Sequence, residues 1–398
     1  VNRREFGGLG LAAAFWAGRG WAGDWARVEA EAKRQEVFFH AWGGDPKINA
    51  FIAWVGDEAF ARFGVTLTHV KLAATSDAVA RVQAEQAAGK VSGGAVDLIW
   101  INGENFAAMK RAGMLYGPFA QSLPNWALVD TVGKPATVTD FTQPTQGFES
   151  PWAMAQLVFE HDSAKLSAPP KSILALADWA KANPGRFTYP QPPDYLGLTF
   201  LKQVLYALLP YPAILQHPAA SGDPALAVLW AFLDALHPHL WRQAKAYPAN
   251  EAALGQLLAD DEVDISFAFN PGRASAEIAA GTLPDTVRSF VLDGGTIANA
   301  SFVAIPFNAS AAAGAQMVAN LLLDPAVQAR AQDASVLGFQ TVLNMAALTP
   351  VDLALFTDTP RGPATLTPAE LGPTLLEPHA TWMTQISAEW SARYGIAQ

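Results

Sequence analysis

Apolar positions along this chain switch between a helical and a strand-like period, and the switching predicts a repeated order of strands and helices. A helix capped by Asp24 runs to about Gln35, with Glu29, Glu31, Lys33 and Arg34 as its solvated charges. The short apolar run Val37 to His40 reads as a strand and ends at Trp42-Gly43-Gly44. Asp45-Pro46 then supplies a cap and a first-turn proline for an amphipathic helix reaching about Phe63. Val65 to Val70 alternates as a strand, Thr75 or Ser76 caps a helix through Gln86, Val96 to Ile101 is a buried-strand run, and Asn102 opens another helix.

From about Phe141 to Trp152 the composition turns to Pro, Thr, Gln, Gly and Ser, as expected of a crossover between two units. Beyond it, helices are predicted over Lys171 to Ala182, Asp194 to Leu209 and Asp223 to Leu236, with a strand at Arg186 to Tyr189. Val263 to Phe269 is again strand-like and leads through Asn270-Pro271-Gly272 into a helix ending near Ala280. Strands at Val287 to Leu292 and Ser301 to Ile305 bracket Asp293-Gly294-Gly295, and the last helix spans about Thr381 to Tyr394. Strand and helix in alternation predict an α/β fold with mostly parallel sheets covered by helices. At 398 residues the chain exceeds what one core usually supports, so two lobes are expected.

Composition narrows the function. Charged residues are 16% of the chain and the net charge is −10, so no basic surface is available for nucleic acid. Neutral or cationic small molecules suit such a protein better than polyanions. There is no cysteine, and therefore no disulfide, thiolate nucleophile or Cys-ligated zinc. Residues 1–22 read as an export signal: Arg3 and Arg4, an apolar stretch from Gly7 to Ala17, then small residues ending at Ala22. Asn2-Arg3-Arg4-Glu5-Phe6 is similar to a twin-arginine signal, with Sec export as the other route. The competing reading of the same letters is an ordinary buried helix. No later stretch approaches ~20 uninterrupted apolar residues.

Enzyme motifs are missing. The seven histidines form no zinc-protease helix motif, and His237-Pro238-His239 is their one close pair. No Gly-x-Ser-x-Gly elbow and no phosphate-binding Gly-Lys-Ser or Gly-Lys-Thr loop occurs. A carboxylate-dependent secreted hydrolase, a polyamine receptor and a metal receptor using His237 and His239 stay open as alternatives.

Several segments resemble the YnjB-type family of ABC-transporter substrate-binding proteins. They are Phe39-His40-Ala41-Trp42-Gly43-Gly44, Val96 to Phe106, Pro144 to Trp152, Thr188-Tyr189-Pro190 with Pro192-Pro193-Asp194, Leu236 to Arg242, and Glu377-Pro378-His379-Ala380. The resemblance implies a type II periplasmic-binding-protein fold, two α/β lobes closing over a ligand in the cleft between them. It implies a periplasmic, exported receptor that needs no cofactor, works as a monomer, and hands its solute to an ABC permease and ATPase. It also points to thiamine-like ligands. The lobes are expected to comprise 23–147 with 284–335, and 148–283 with 336–398.

Ligands of such sheets bind beyond the carboxyl ends of the strands. That rule selects Trp42, Gly43 and Gly44 after the first strand, and Asn102, Glu104 and Asn105 after the third. Glu149 and Trp152 in the crossover pair a carboxylate with an indole, a combination that holds cations. Tyr189, Asp194 and Tyr195 sit in a proline-stiffened loop suited to an opposing aromatic wall. Phe269 and Asn270 end a strand and Asn299 lies between two late strands, positions where amides can reach a ligand. Core packing explains the tryptophans equally well, and capping or turn roles explain the amides.

Overall fold

The computed structural model describes residues 21–358 and 361–395. The expected export signal, 1–22, lies outside the described residues except for its last two positions. In chain order the first unit contains α1 (Trp21–Ala32), β1 (Glu36–Trp42), α2 (Pro46–Phe63), β2 (Thr66–Leu72), α3 (Thr75–Ala87), β3 (Leu98–Ile101) and α4 (Glu104–Arg111). A short hairpin of β4 (Thr139–Asp140) and β5 (Gln143–Pro144) follows, then β6 (Glu149–Gln156). The second unit has β7 (Val158–Asp162), α5 (Ile173–Ala182), α6 (Tyr195–Leu208), α7 (Pro224–Leu236), α8 (Glu251–Ala259), β8 (Ile265–Ala268), α9 (Arg273–Ala279) and β9 (Val287–Phe290). The chain then returns through β10 (Thr296–Ala304), α10 (Ala312–Leu322), α11 (Pro325–Gln332), α12 (Pro350–Thr357), α13 (Pro368–Leu371), β11 (Thr374–Leu376) and α14 (Thr381–Tyr394).

Local chemistry explains the first strand-loop-helix unit. The Asp45 carboxylate accepts from the Lys47 N–H at 2.6 Å, Pro46 presets the first turn, and Gly64 closes α2 at φ 68°. In the larger sheet β1 pairs in parallel with β2 and β3, and β10 runs antiparallel to β3 and β6 and parallel to β11. Asp97, fully buried, joins three elements by accepting from the backbone N–H groups of Phe38 and Ala311 and from the Ser310 hydroxyl. In the smaller sheet β7 lies between β8 and β9, antiparallel to both. The strand expected at Arg186 to Tyr189 is reduced to one bridge, Phe187 to Ile265, because Pro190 follows at once and cannot donate to a ladder.

Two large cores define the lobes. The first gathers Phe39, Phe51, Ile99, Trp152, Phe302 and Phe356, and the second Phe159, Phe200, Phe267, Trp382 and Trp390. Core membership moves the expected boundaries. β6 belongs wholly to the first lobe through its ladder with β10, so the crossing falls at Gln156 to Val158 and not at residue 148. The polar stretch before it has hinge-like composition, but it folds as the β4–β5 hairpin of the same lobe. Phe290 and Leu292 stay with the second core, whereas Leu337, Val342, Leu343 and Phe356 pack in the first. Among the described residues no helix is long and apolar enough to cross a membrane.

Candidate functional site

The side chains that meet at the seam between the lobes come from β3, the β4–β5 hairpin, α6, β8, β10 and the segment joining β11 to α14. Asn102, directly after β3, donates its amide to the Ala300 carbonyl at 2.6 Å. Gly103 follows at φ 58°, and its N–H donates to the Asp140 carboxylate at 2.5 Å. The Phe141 ring packs on Gly103 so closely that a Cβ there would sit 3.3 Å from it. Phe141 and Thr142 both turn the hairpin with positive φ, 42° and 73°, a conformation that L-residues adopt rarely and that holds the ring inward.

Across the seam, Asp194 caps α6 by accepting from the Gly197 N–H at 3.0 Å, which fixes Tyr195 at the first position of that helix. The Tyr195 hydroxyl donates to Glu377 at 2.6 Å and accepts from the Asn299 amide at 2.7 Å. Its ring meets Phe269 edge-on, with centroids 5.4 Å apart. About two turns along α6, Lys202 forms a buried ion pair with Glu377 at 2.5 Å, under the rings of Phe141 and Tyr195. Beyond Phe269, whose N–H donates to Glu251, Arg273 pairs with the buried Glu160.

The electrostatics of the seam are unequal. Asp140 and Glu149 are almost fully enclosed, and one Asp140 oxygen and both Glu149 oxygens have no hydrogen-bond partner. Burial pushes the Asp140 carboxyl up to about 8, against the opposing pull of the Gly103 N–H and the Asn102 amide. Burial, reinforced by the Asp140 charge, raises Glu149 well above the usual carboxylate range. Lys110, the cation acting on Glu149, has its Nζ directed to the Pro144 carbonyl at 2.5 Å. Burial also pulls the Lys202 ammonium down, against the raising effect of Glu377.

Of the residues selected from the sequence, Asn102, Asp194, Tyr195, Phe269 and Asn299 are brought to this seam. Asn270 lies beside it but ties the end of β8 to the first lobe, donating to the Leu337 carbonyl at 2.6 Å and accepting from the Gly272 N–H. Trp42 is 42% exposed at the end of β1 and lies against Gly44, where a Cβ would come within 2.4 Å of the indole. Gly43 is held to the Leu72 carbonyl, Glu104 starts α4 exposed to solvent, and Asn105 is half-buried behind it. Glu149 lies behind Asp140, on the hairpin side.

Two aromatic expectations are corrected. Trp152 sits in the first core, stacked on Phe51 and edge-on to Trp100, because β6 turns its side chain toward α2 and not toward the cleft. Tyr189 is fully buried in the second core, bonded through its hydroxyl to His237 and Trp390 at 2.8 Å each. That bond ties His237 into the second core, and among the described residues no group of three or more His, Cys, Asp or Glu side chains is placed to hold a metal ion. Residues missed at first are Asp140, Phe141, Lys202 and Glu377. Lys202 was visible as the one charge inside the apolar run Leu198 to Leu205, and Glu377 stands in a segment that carried the family resemblance.

Residues 55–358 match the family described as bacterial extracellular solute-binding protein. The chain belongs to that family. Over 380 residues it is 44% identical to Protein YnjB of Escherichia coli (strain K12), covering 94% of this chain and 95% of that one. Among solved structures, an ABC transporter substrate-binding protein from Bradyrhizobium japonicum USDA 110 is 17% identical with a TM-score of 0.62, over 90% of this chain and 99% of that one. The Atu4243-GABA receptor is 17% identical with a TM-score of 0.60, over 91% and 98%. The spermidine/putrescine ABC transporter substrate-binding protein PotD of Streptococcus pneumoniae is 13% identical with a TM-score of 0.58, over 90% and 96%. The two-lobed α/β binding-protein fold and the ABC-transporter substrate-binding class expected from the sequence are those of these proteins.

Proposed function

We propose that this solute-binding protein captures a small organic cation between its lobes and holds it with carboxylates and aromatic rings until an ABC importer accepts it. The observation that carries the reading is the buried, unpartnered carboxylate oxygens of Asp140 and Glu149, with the ring of Phe141, the residue after Asp140, packed on Gly103. An enclosed carboxylate without a counter-charge is costly, and a ligand ammonium or other organic cation removes that cost on binding. Rings near a cation add attraction through their negative faces. Lys202 is already paired with Glu377 and Arg273 with Glu160, whereas Asp140 and Glu149 have no ion-pair partner among the described residues, so the unmet demand at the seam is for a cation. Thiamine-like heteroaromatic cations and simple amines both satisfy this chemistry. Two of the fold neighbours are named for amine-bearing ligands, GABA and spermidine/putrescine.

The experiment is a thermal-shift screen followed by calorimetry with thiamine, choline, putrescine, spermidine and anionic sugar phosphates. Cations are expected to raise the melting temperature, and Asp140→Asn is expected to weaken the best of them by more than about tenfold. A shift with anionic or neutral solutes alone would overturn the reading.

A further inference from the structure

Lys202 occupies an arrangement that an incoming ammonium would recognise. Its Nζ lies 2.5 Å from a Glu377 oxygen, 5.1 Å from the Tyr195 ring centroid and 5.4 Å from that of Phe141. Carboxylate plus two ring faces is the composition of an aromatic cage for a cation. The side chain is 1% exposed and arises from an apolar stretch of α6, where a buried ion pair is a weak contributor to stability and is often replaced by apolar residues without loss. Folding alone therefore gives little reason for an ammonium at this position. Directly beyond Phe141 stands Asp140 with an unpartnered oxygen, near enough to Glu377 for their charges to interact. Two positions for positive charge thus lie side by side, and the protein fills one of them itself.

We propose that Lys202 is a specificity-determining residue: its tethered ammonium occupies the cation subsite formed by Phe141, Tyr195 and Glu377, and so restricts the receptor to ligands with a single positive group at this end of the cleft. The inference rests on the cation reading above. A linear diamine needs both positions and meets the Lys202 charge at one, a like-charge contact that rejects it. A monocation needs the Asp140 position alone.

The test compares n-butylammonium with 1,4-diaminobutane by calorimetry on wild type, Lys202→Met and the double variant Lys202→Met/Glu377→Gln. Wild type is expected to favour the monoamine. Lys202→Met, with Glu377 still held by Tyr195 and Asn299, is expected to gain at least about tenfold in affinity for the diamine and little for the monoamine. The gain should vanish in the double variant, which has lost the carboxylate. A folded Lys202→Met protein with unchanged diamine affinity overturns the proposal, as does a gain that survives in the double variant. If Lys202→Met is unfolded on its own, refolding by millimolar 1,4-diaminobutane supports the proposal and failure to refold overturns it. The two readings fail separately: wild type that ignores every organic cation ends the proposed function, whereas a monoamine-binding wild type whose variant gains no diamine ends this inference alone.

Discussion

Two groups of buried acids lie on either side of Phe269 and Tyr195, and they differ in whether the fold supplies a counter-charge. In the second lobe, Glu160 is held by Arg273 and by the Ser266 hydroxyl at 2.7 Å. On the first-lobe side, Asp140 has the Gly103 N–H and an interaction with the Asn102 amide, and Glu149 has no hydrogen bond to either oxygen. Equal burial with unequal pairing separates acids that hold the fold from acids poised for a solute. Glu160 has its counter-charge in Arg273, although its second oxygen and the Arg273 Nε have no hydrogen-bond partner. Asp140 and Glu149 have no ion-pair partner among the described residues, and the neighbouring Glu377 is completed by Lys202 from α6.

Removing the cation that holds a paired acid and removing an unpaired acid should therefore act on stability with opposite sign. Arg273→Met leaves Glu160 enclosed without its cation and is expected to cost about 3–5 kcal/mol in urea unfolding, the largest effect among these tests. A loss below ~1 kcal/mol would mean that Glu160 is not dependent on Arg273 and that the contrast is false.

Asp140→Asn is next. The Asp140 carboxyl has its folded value raised from 3.8 to about 8, so the folded state favours the neutral acid. Its contribution to stability is complete at pH below the unfolded value and is lost as pH rises toward about 8. The variant should match wild type near pH 4 and exceed it at pH 8 by roughly 1–3 kcal/mol, read from melting curves across that range. Cation affinity of wild type should rise over the same interval as a proton is released, and the variant should flatten that rise. A parallel pH dependence in the two proteins would remove Asp140 from the argument.

Glu149→Met replaces an unpartnered acid with an apolar side chain of similar length. It is expected to stabilise by about 1–2 kcal/mol while weakening cation binding, the reverse of the Arg273 result. Destabilisation would place Glu149 among the structural acids.

What the sequence could reveal about this contrast was set by range. Strands such as Val96 to Ile101 and Val263 to Phe269 were legible because apolar letters are bounded by turn residues, and they contain the observed β3 and β8. Asp194 and Tyr195 were legible as a helix start, whereas Asn299, expected between two strands, lies within β10. Pairing was not legible: Lys202 and Glu377 are 175 residues apart and Glu160 and Arg273 are 113 apart. Aromatic letters misled in the other direction. Trp152 and Tyr189 have a composition that suits a ligand wall, yet core packing uses the same large rings, and only the register of β6 against β10 shows which way Trp152 faces.

Trp42 is the aromatic for which that ambiguity still bears on the site, and it gives the smallest predicted change in stability. Its indole is 42% exposed at the carboxyl end of β1, resting on Gly44 and contributing no packing to the first core. Trp42→Ala should alter unfolding free energy by no more than ~0.5 kcal/mol, because a half-exposed ring away from the core has little to lose. Its effect on cation affinity is the informative number. If lobe closure brings the indole over the solute, affinity falls by roughly three- to tenfold at unchanged melting temperature, as expected for one ring face over a cation. Gly44→Ala should reproduce that loss, since the added methyl displaces the indole from its resting place. Unchanged affinity in both variants would confine the aromatic wall to Phe141, Tyr195 and Phe269, and would make the rim at the end of β1 a matter of loop geometry and not of recognition.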